Sequence, residues 1–403
     1  MRQMGGKGLN TALILMVLVY FVSYITRLNY NTILVEIIDA TGLSKAASSL
    51  PITGMAITYG AGQLISGFVG DRIQPKHLVG LGLGTTLFMN VLLPFCGTSM
   101  QMAIIWSING LAQAFMWPPL VKLMNELFDR DGYNTACIAV TCGGHLGHVA
   151  LYLIAPVLIK LGTWKLVFYT AATAAAIMLA VWMMRCPQIV MERNSGRNSG
   201  EPRKGAFPWS GMLISILVAI ILMGSLRDGV TAWMPSLIAE TFQFGNNISI
   251  LTGVILPVFA IVSIVAVSEI RRRWIRNELK LAAILFAVCM LSAAMISVFR
   301  KTSPVLTIIL LGLLVSCMNG ANLLLISFVP RYYSKTGVVS LVSGVLNSGT
   351  YIGAALSTYG IAVIAESFGW TVTVFLWSIL AFLGGMICAG QLKRWELLCT
   401  SIR

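Results

Sequence analysis

Two arginines lie inside long apolar segments of the sequence, where an ionisable side chain is costly and indicates a functional site. Arg27 follows Tyr20 and Tyr24 at spacings of four and three residues, so the three side chains share one face of a helix. Arg227 lies in a second apolar segment and is followed directly by Asp228. Because a guanidinium binds phosphate or carboxylate through two parallel hydrogen bonds, the two arginines predict a site for a small anion.

A structural role for the two arginines is the alternative. Each guanidinium would then reach the membrane interface or pair with a neighbouring carboxylate, as Arg227 would with Asp228. Neighbouring residues on a helix point about 100° apart, so the sequence disfavours that particular pair.

Two histidines, His145 and His148, lie three residues apart in another apolar segment. Histidine titrates near neutral pH, which makes His145 a candidate for coupling proton movement to anion binding. Asp228, a carboxylate inside an apolar segment, is a second candidate. We interpret His148 as a packing residue. No cysteine, aspartate or glutamate stands directly beside either histidine, so we expect neither a metal site nor a cofactor.

The composition places these residues in a membrane. Of 403 residues, 57% are hydrophobic and only 10% are charged, whereas a soluble domain carries about 25% charged residues. A soluble enzyme is therefore excluded, and no P-loop or nucleotide-binding motif suggests an enzyme of another kind. The basic residues form short clusters between apolar runs, which argues against nucleic-acid binding. The eight cysteines show no CxxC pair and indicate small apolar side chains.

Twelve segments of about 20 mostly apolar residues are long enough to span a bilayer. They lie near residues 10–35, 48–70, 77–97, 101–124, 134–160, 164–185, 209–238, 247–268, 279–298, 304–328, 337–364 and 370–392. A polar stretch, 187–208, separates the first six from the last six and has the composition of a linker. We therefore expect an all-α membrane protein with an N-terminal six-helix bundle over 1–186, a cytoplasmic linker over 187–208 and a C-terminal bundle over 209–403.

The formal net charge of +14 is explained by topology. When the N-terminus is placed inside, most basic residues fall in cytoplasmic segments, as the positive-inside rule requires. Both termini are then cytoplasmic in a multi-pass protein of the inner (plasma) membrane. An acidic residue precedes a basic cluster at the same turn of each half, at Asp71 and at Glu269, which is typical of a duplicated unit.

The first of these turns resembles the loop signature G-x-x-x-D-R/K-x-G-R-R of the major facilitator superfamily, although Gln74-Pro75-Lys76 replaces Gly-Arg-Arg. The resemblance implies two pseudo-symmetric six-helix halves around a central cavity. It also implies that Asp71 and Arg72 act as a gate on the cytoplasmic side.

Three further motifs resemble the organophosphate:phosphate antiporter family. The segment around Arg27 matches the family pattern Y-x-x-x-Y-x-x-R-K-N, with Leu28 in place of the lysine. The segment around Trp117 matches N-G-x-x-Q-x-x-x-W-P-P, and the segment around Arg227 matches R-x-G-x-x-x-W-x-P. The resemblance and the arginine face together suggest these substrate-binding residues: Tyr20, Tyr24, Arg27, Asn29, Tyr59, Gln63, Trp117, His145, Arg227 and Tyr351. For any single aromatic residue of this set, plain packing is the alternative.

Leu28 and Gln63 stand where the family has lysines, and Asp228 offsets part of the remaining positive charge. We therefore expect a less highly charged anion, such as a monoanionic phosphoester or a carboxylate. The resemblance implies exchange of a phosphorylated metabolite for inorganic phosphate by alternating access. We expect a monomer. Two alternatives remain open: a proton-coupled symporter of a carboxylate or other organic anion, and a membrane anion sensor that does not transport.

Overall fold

The computed structural model describes residues 6–70, 73–187, 210–300, 302–329, 332 and 339–402, and these residues form helices and turns without a strand. Most of the predicted linker 187–208 and the predicted gate residues Asp71 and Arg72 lie outside the described residues. The helices are α1 Gly6–Thr32, α2 Leu34–Thr41, α3 Lys45–Gly70, α4 Pro75–Leu92, α5 Ser99–Gln113, α6 Trp117–Leu127, α7 Arg130–Leu161, α8 Lys165–Arg185, α9 Gly211–Phe242, α10 Asn246–Thr252, α11 Ile255–Arg273, α12 Glu278–Phe299, α13 Pro304–Asn322, α14 Val339–Gly390 and α15 Leu392–Ile402.

Nine helices among the described residues are long and apolar enough to cross a membrane. One of them, Gly344–Gly390, covers the last two predicted spans, and Gly369 interrupts it with a φ of 73° that favours glycine. The predicted span 101–124 is instead divided into α5 and α6. The α6 helix begins at Trp117 and carries Pro118 and Pro119 in its first turn, where a missing N–H costs nothing.

The described chain divides into two compact units. The first comprises Met1–Ser195 and Asn246–Pro257, and the second comprises Gly196–Gly245 and Val258–Arg403. The segment Asn246–Pro257 thus groups with the first unit, although the sequence predicts it within the second half. In this unit the Asn246 amide donates to Glu36 and to Asp39 at 2.8 Å each.

A buried polar network holds α1 against α4 and α5 in the first unit. The Ser23 hydroxyl donates to Gln113 at 2.6 Å, and the Gln113 amide donates to Thr26 at 2.9 Å and Thr86 at 3.1 Å. Thr86 in turn donates to Asn109 at 2.8 Å. All five side chains are almost completely buried. The network fixes the rotation of α1 because each buried polar group must keep its partner.

Three glycines let α7 approach the opposite side of α1. A Cβ on Gly147 would lie 2.3 Å from the Phe21 carbonyl oxygen, and a Cβ on Gly144 would lie 2.7 Å from the Tyr24 ring. A Cβ on Gly143 would meet the Val17 side chain at 2.8 Å. Small residues at this crossing therefore bring the backbones together and place α7 beside the tyrosine face of α1.

In the second unit, α9 packs closely along α14. A Cβ on Gly224 would lie 2.4 Å from the Thr350 carbonyl oxygen, and a Cβ on Gly229 would lie 2.6 Å from Ile361. The fully buried Trp233 donates its indole N–H to the Thr358 carbonyl at 3.0 Å. In the motif R-x-G-x-x-x-W-x-P on α9, Gly229 and Trp233 are therefore packing residues, and Arg227 is the one polar member.

Candidate functional site

Six of the predicted site residues come together in the first unit, and we call them the aromatic–arginine cluster. Its members lie on α1, α3, α6 and α7: Tyr20, Tyr24, Arg27, Tyr59, Trp117 and His145. The Tyr20 ring centroid lies 5.1 Å from that of Tyr24 and 5.0 Å from that of Trp117. Tyr24 also meets His145 edge-on at 5.7 Å. The face predicted from spacing on α1 is thus extended by three other helices.

The guanidinium of Arg27 lies against two aromatic rings. Its Cζ atom is 4.5 Å from the ring centroid of Tyr24 and 5.0 Å from that of Tyr59. Contact with an aromatic face stabilises a cation while the planar N–H edge stays able to bind an oxyanion. Tyr20 and Tyr59 are only 8% and 5% exposed, whereas Tyr24, Arg27 and His145 are partly exposed.

Asn29 does not belong to this cluster, contrary to the prediction. It is completely buried, and its amide donates to Asn90 at 2.7 Å while its oxygen accepts from the Tyr30 backbone N–H. The reason is helical geometry: Asn29 follows Tyr20 by nine residues, or two and a half turns, and therefore points to the opposite face of α1.

Arg227 and Asp228 form an ion pair, which corrects the expectation that neighbouring helix positions disfavour it. The Arg227 Nε lies 2.7 Å from Asp228 Oδ1, and Nη2 lies 2.8 Å from Oδ2. The arginine side chain is long enough to bend across the 100° between the two positions, so both oxygens meet the side edge of the guanidinium. The side chains are 17% and 30% exposed.

Arg227 makes a third contact in the same unit, to a second partner. Its Nη1 donates to the Asn322 side-chain oxygen at 2.9 Å, so α9 is tied to the end of α13. The pair and its amide partner, which we call the Arg227 fork, comprise Arg227, Asp228 and Asn322. In the fork the Asp228 carboxylate occupies the guanidinium edge that suits an oxyanion and partly balances its charge.

The remaining predicted residues lie on the expected elements. Gln63 lies one turn after Tyr59 on α3, and Tyr351 lies on α14; both are partly exposed. His148 is buried and stacks on Tyr152 with ring centroids 4.6 Å apart, which confirms it as a packing residue. Across the described residues there is no group of three His, Cys, Asp or Glu side chains that could hold a metal ion.

The fold and these motifs match one protein family. The family model of the Major Facilitator Superfamily matches residues 16–341. The chain belongs to the Major Facilitator Superfamily. With its long apolar helices, it is a multi-pass membrane protein.

Individual relatives of this superfamily member match over part of their length. A probable hexose phosphate transport protein of Chlamydia trachomatis is 25% identical over 150 residues, which cover 37% of this chain and 33% of that protein. The membrane sensor protein UhpC of Escherichia coli is 31% identical over 111 residues, or 28% and 25% of the two chains. The glycerol-3-phosphate transporter of Bacillus subtilis is 26% identical over 250 residues, or 55% of each. The chain thus spans between a quarter and about half of these relatives. They confirm the resemblance to the organophosphate:phosphate antiporter family.

Solved structures agree on the superfamily fold. The nucleoside transporter NupG superposes with a TM-score of 0.74 at 14% identity, covering 96% of this chain and 99% of that one. A bacterial homologue of the human lysosomal transporter Spinster gives 0.74 at 12% identity, covering 98% of both chains. At identities this low, the structural similarity shows a shared fold and gives no information about the substrate.

Two polar residues of this superfamily member were missed by sequence reasoning. Asn322 binds Arg227. The sequence feature that could have indicated it is the pair of asparagines, Asn319 and Asn322, inside a mostly apolar span. Asn31 extends the Tyr20–Arg27 face by one turn, and its buried side-chain oxygen has no hydrogen-bond partner among the described residues. Helical spacing could have predicted Asn31, because it follows Arg27 by four residues and so lies on the same face.

Proposed function

We propose that this protein is a secondary transporter that carries a small organic anion, a phosphorylated metabolite, in exchange for inorganic phosphate. Superfamily membership favours a transporter over an enzyme, and the relatives include proteins named for hexose phosphate and glycerol 3-phosphate transport. The observation that carries the proposal is the pair of guanidinium sites. Arg27 lies within the aromatic–arginine cluster, and Arg227 lies within the fork.

The architecture proposed with this function is the one that the sequence predicts. It has twelve spans in two halves, over 1–186 and 209–403, joined by the cytoplasmic linker 187–208. Both termini face the cytoplasm, and the protein is a monomer in the inner membrane. Asp71 and Arg72 retain their proposed role in gating.

The proposed mechanism follows from charge. In the proposed mechanism the substrate anion neutralises positive charge at Arg27 and at Arg227, each within its own unit. The loaded protein therefore crosses between inward-open and outward-open states more easily than the empty one, which is the physical basis of exchange. The other proposed binding residues lie in the two units separately, Tyr351 in the second and the rest in the first: Tyr20, Tyr24, Tyr59, Gln63 and Trp117.

Asp228 limits the charge of the proposed substrate. Its two-point contact with Arg227 places a negative charge where a substrate oxyanion would otherwise bind. The three groups Arg27, Arg227 and Asp228 then carry a net charge of one, and a monoanion balances it. We therefore propose a monoanionic phosphoester in preference to a dianion, with a monoanionic carboxylate as the next choice.

Two other functions are favoured by single observations. Proton-coupled symport is favoured by two acid–base side chains beside the arginines: His145, which meets Tyr24 next to Arg27, and Asp228, which pairs with Arg227. A sensing function is favoured by similarity to UhpC, a protein named as a membrane sensor.

Thermal stabilisation by anions tests the binding site. Purified protein is heated with inorganic phosphate, glycerol 3-phosphate or acetate, beside Arg27→Ala and Arg227→Ala. A matched control is Arg185→Ala, an exposed arginine at the end of α8. We expect the wild type and the control to be stabilised and the other two variants not. Equal stabilisation of all four proteins would contradict the proposal.

Proteoliposomes separate the three functions. Exchange predicts uptake of labelled glycerol 3-phosphate driven by phosphate inside the vesicle at equal pH. Proton symport predicts uptake driven by a pH gradient without internal phosphate. A sensor predicts anion binding with no counterflow under either condition.

A further inference from the structure

We propose that the turn between α11 and α12 binds the headgroup of an anionic phospholipid. The turn and the C-terminal helix beside it form a basic surface with an exposed tryptophan, and one lysine of this surface lies on a lipid-facing stripe. The surface lies in the second unit and is separate from the proposed transport site.

The stripe on α12 defines the side that faces lipid. Four apolar side chains on it are between 41% and 71% exposed: Ile284, Leu291, Met295 and Val298. Their spacings of seven, four and three residues keep them within about 60° around the helix. Exposed apolar residues on one side of a membrane-spanning helix contact acyl chains.

Lys280 continues the same stripe. It precedes Ile284 by four residues, is exposed, and lies about 27 Å along the helix from Val298. This distance is close to the hydrocarbon thickness of about 30 Å, so the stripe spans the apolar layer and Lys280 lies at headgroup level. An ammonium group in that position meets lipid phosphate before it meets bulk water.

The neighbouring residues add charge and an interface anchor. Trp274 directly follows α11 and is 79% exposed, and tryptophan prefers the headgroup region. Arg276 is exposed two residues later. Arg272 and Arg273 both pair with Glu269, so they contribute less free charge than their number suggests.

A buried carboxylate attaches the C-terminal helix to this surface. Glu278 is completely buried; it accepts from Arg271 at 2.7 Å and from the Trp395 indole N–H at 3.2 Å. Trp395 also packs edge-on against Tyr332, with ring centroids 4.7 Å apart. The α15 helix therefore lies beside the turn and presents the exposed side chains of Lys393 and Arg394.

The charges on this surface favour an anionic partner. Residues 269–280 and 391–397 together carry seven basic and three acidic side chains. The basic excess lies at the end of a lipid-facing helix, on the side that the positive-inside rule predicts to be cytoplasmic. Basic clusters at such positions attract anionic lipid headgroups.

Native mass spectrometry of detergent-purified protein tests the proposal. Phosphatidylglycerol and phosphatidylcholine with identical acyl chains are added to the wild type, to Arg276→Gln/Lys280→Gln and to Lys160→Gln/Lys165→Gln. The last double variant is the control. It removes the same charge from two exposed lysines: Lys160 in the last turn of α7 and Lys165 at the start of α8. We expect the first double variant to retain phosphatidylglycerol roughly tenfold less than the wild type, with the control unchanged.

A fluorescence measurement locates the lipid. Phosphatidylglycerol with brominated acyl chains should quench the wild type more than Trp274→Phe. Equal retention of the two lipids, or equal loss in both double variants, would overturn the proposal. Displacement of the lipid by inorganic phosphate would also overturn it, since the surface would then bind the free anion.

Discussion

Arg227 and Asp228 are neighbours in the sequence and meet through two parallel contacts, 2.7 Å from Nε to Oδ1 and 2.8 Å from Nη2 to Oδ2. The carboxylate occupies the edge of the guanidinium that binds oxyanions best. A substrate therefore competes with Asp228, or binds Arg227 at another edge with Asp228 still in place. In both cases the aspartate lowers the charge that the site can balance.

Asp228→Asn should change which anion charge the protein prefers. Sulfate and methanesulfonate share three tetrahedral oxygens, but sulfate carries two negative charges and methanesulfonate carries one. We expect the wild type to bind methanesulfonate better in a thermal-shift titration. Removal of the carboxylate should move the ratio of affinities toward sulfate by roughly tenfold, because a hydrogen-bonded charge contributes about 1.5–3 kcal/mol.

The control for this prediction is Glu366→Gln, which removes one negative charge from an exposed position on α14 in the same unit. Its affinity ratio should equal that of the wild type, since the charge of an exposed side chain is screened. An unchanged ratio in Asp228→Asn would show that Asp228 does not set charge preference. Absence of binding by either anion in the wild type would instead count against the proposed site as a whole.

Tyr59 should contribute to anion binding through its ring. Arg27 lies 5.0 Å from the Tyr59 ring centroid, and a cation over an aromatic face gains about 0.5–2 kcal/mol. Tyr59→Leu should therefore weaken phosphate stabilisation several-fold, whereas Tyr59→Phe, which keeps the ring, should leave it near the wild-type value. Equal losses in both variants would assign the effect to the hydroxyl group.

Gly147 should be intolerant of even a methyl group. A Cβ there would lie 2.3 Å from the Phe21 carbonyl oxygen, so Gly147→Ala must push α7 away from α1. We expect a loss of about 1–3 kcal/mol in stability, measured as a lower melting temperature in detergent. The matched control is Gly360→Ala on α14, where a Cβ has no heavy atom within 4 Å. Equal melting temperatures for the two variants would contradict the close crossing.

Helical spacing was sufficient to predict one face of the candidate site. Tyr20, Tyr24 and Arg27 share a face because their spacings match one and two turns, and the structure brings them together. The same arithmetic places Asn29 on the opposite side of α1. Its prediction came from a family pattern, and a pattern lists positions without saying which of them hold helices together.

Other features depend on long-range packing that the local sequence does not contain. Asn322 reaches Arg227 from a helix 95 residues away in sequence, so no local period relates them. Trp395 is fully buried against Glu278 although α15 is a short, charged segment with no transmembrane signal. Pro118 and Pro119 lie in the first turn of α6, but hydropathy alone predicts α5 and α6 as one span.

The polar network behind α1 should be necessary for stability and thereby for positioning Arg27. Thr86 donates to Asn109 at 2.8 Å and accepts from Gln113 at 3.1 Å, so Thr86→Val removes two buried hydrogen bonds with almost no change in shape. We expect a loss of about 1–2 kcal/mol and a lower melting temperature, because the partners stay buried.

Thr170→Val makes the same chemical change at an exposed site, where the hydroxyl bonds only the Leu166 carbonyl of its own helix. Its effect should stay within about 0.5 kcal/mol. The two variants also separate stability from function: Thr86→Val should weaken phosphate stabilisation if the network sets the rotation of α1, and Thr170→Val should not. A Thr86→Val protein that melts and binds phosphate like the wild type would show that the helix is held by apolar packing alone.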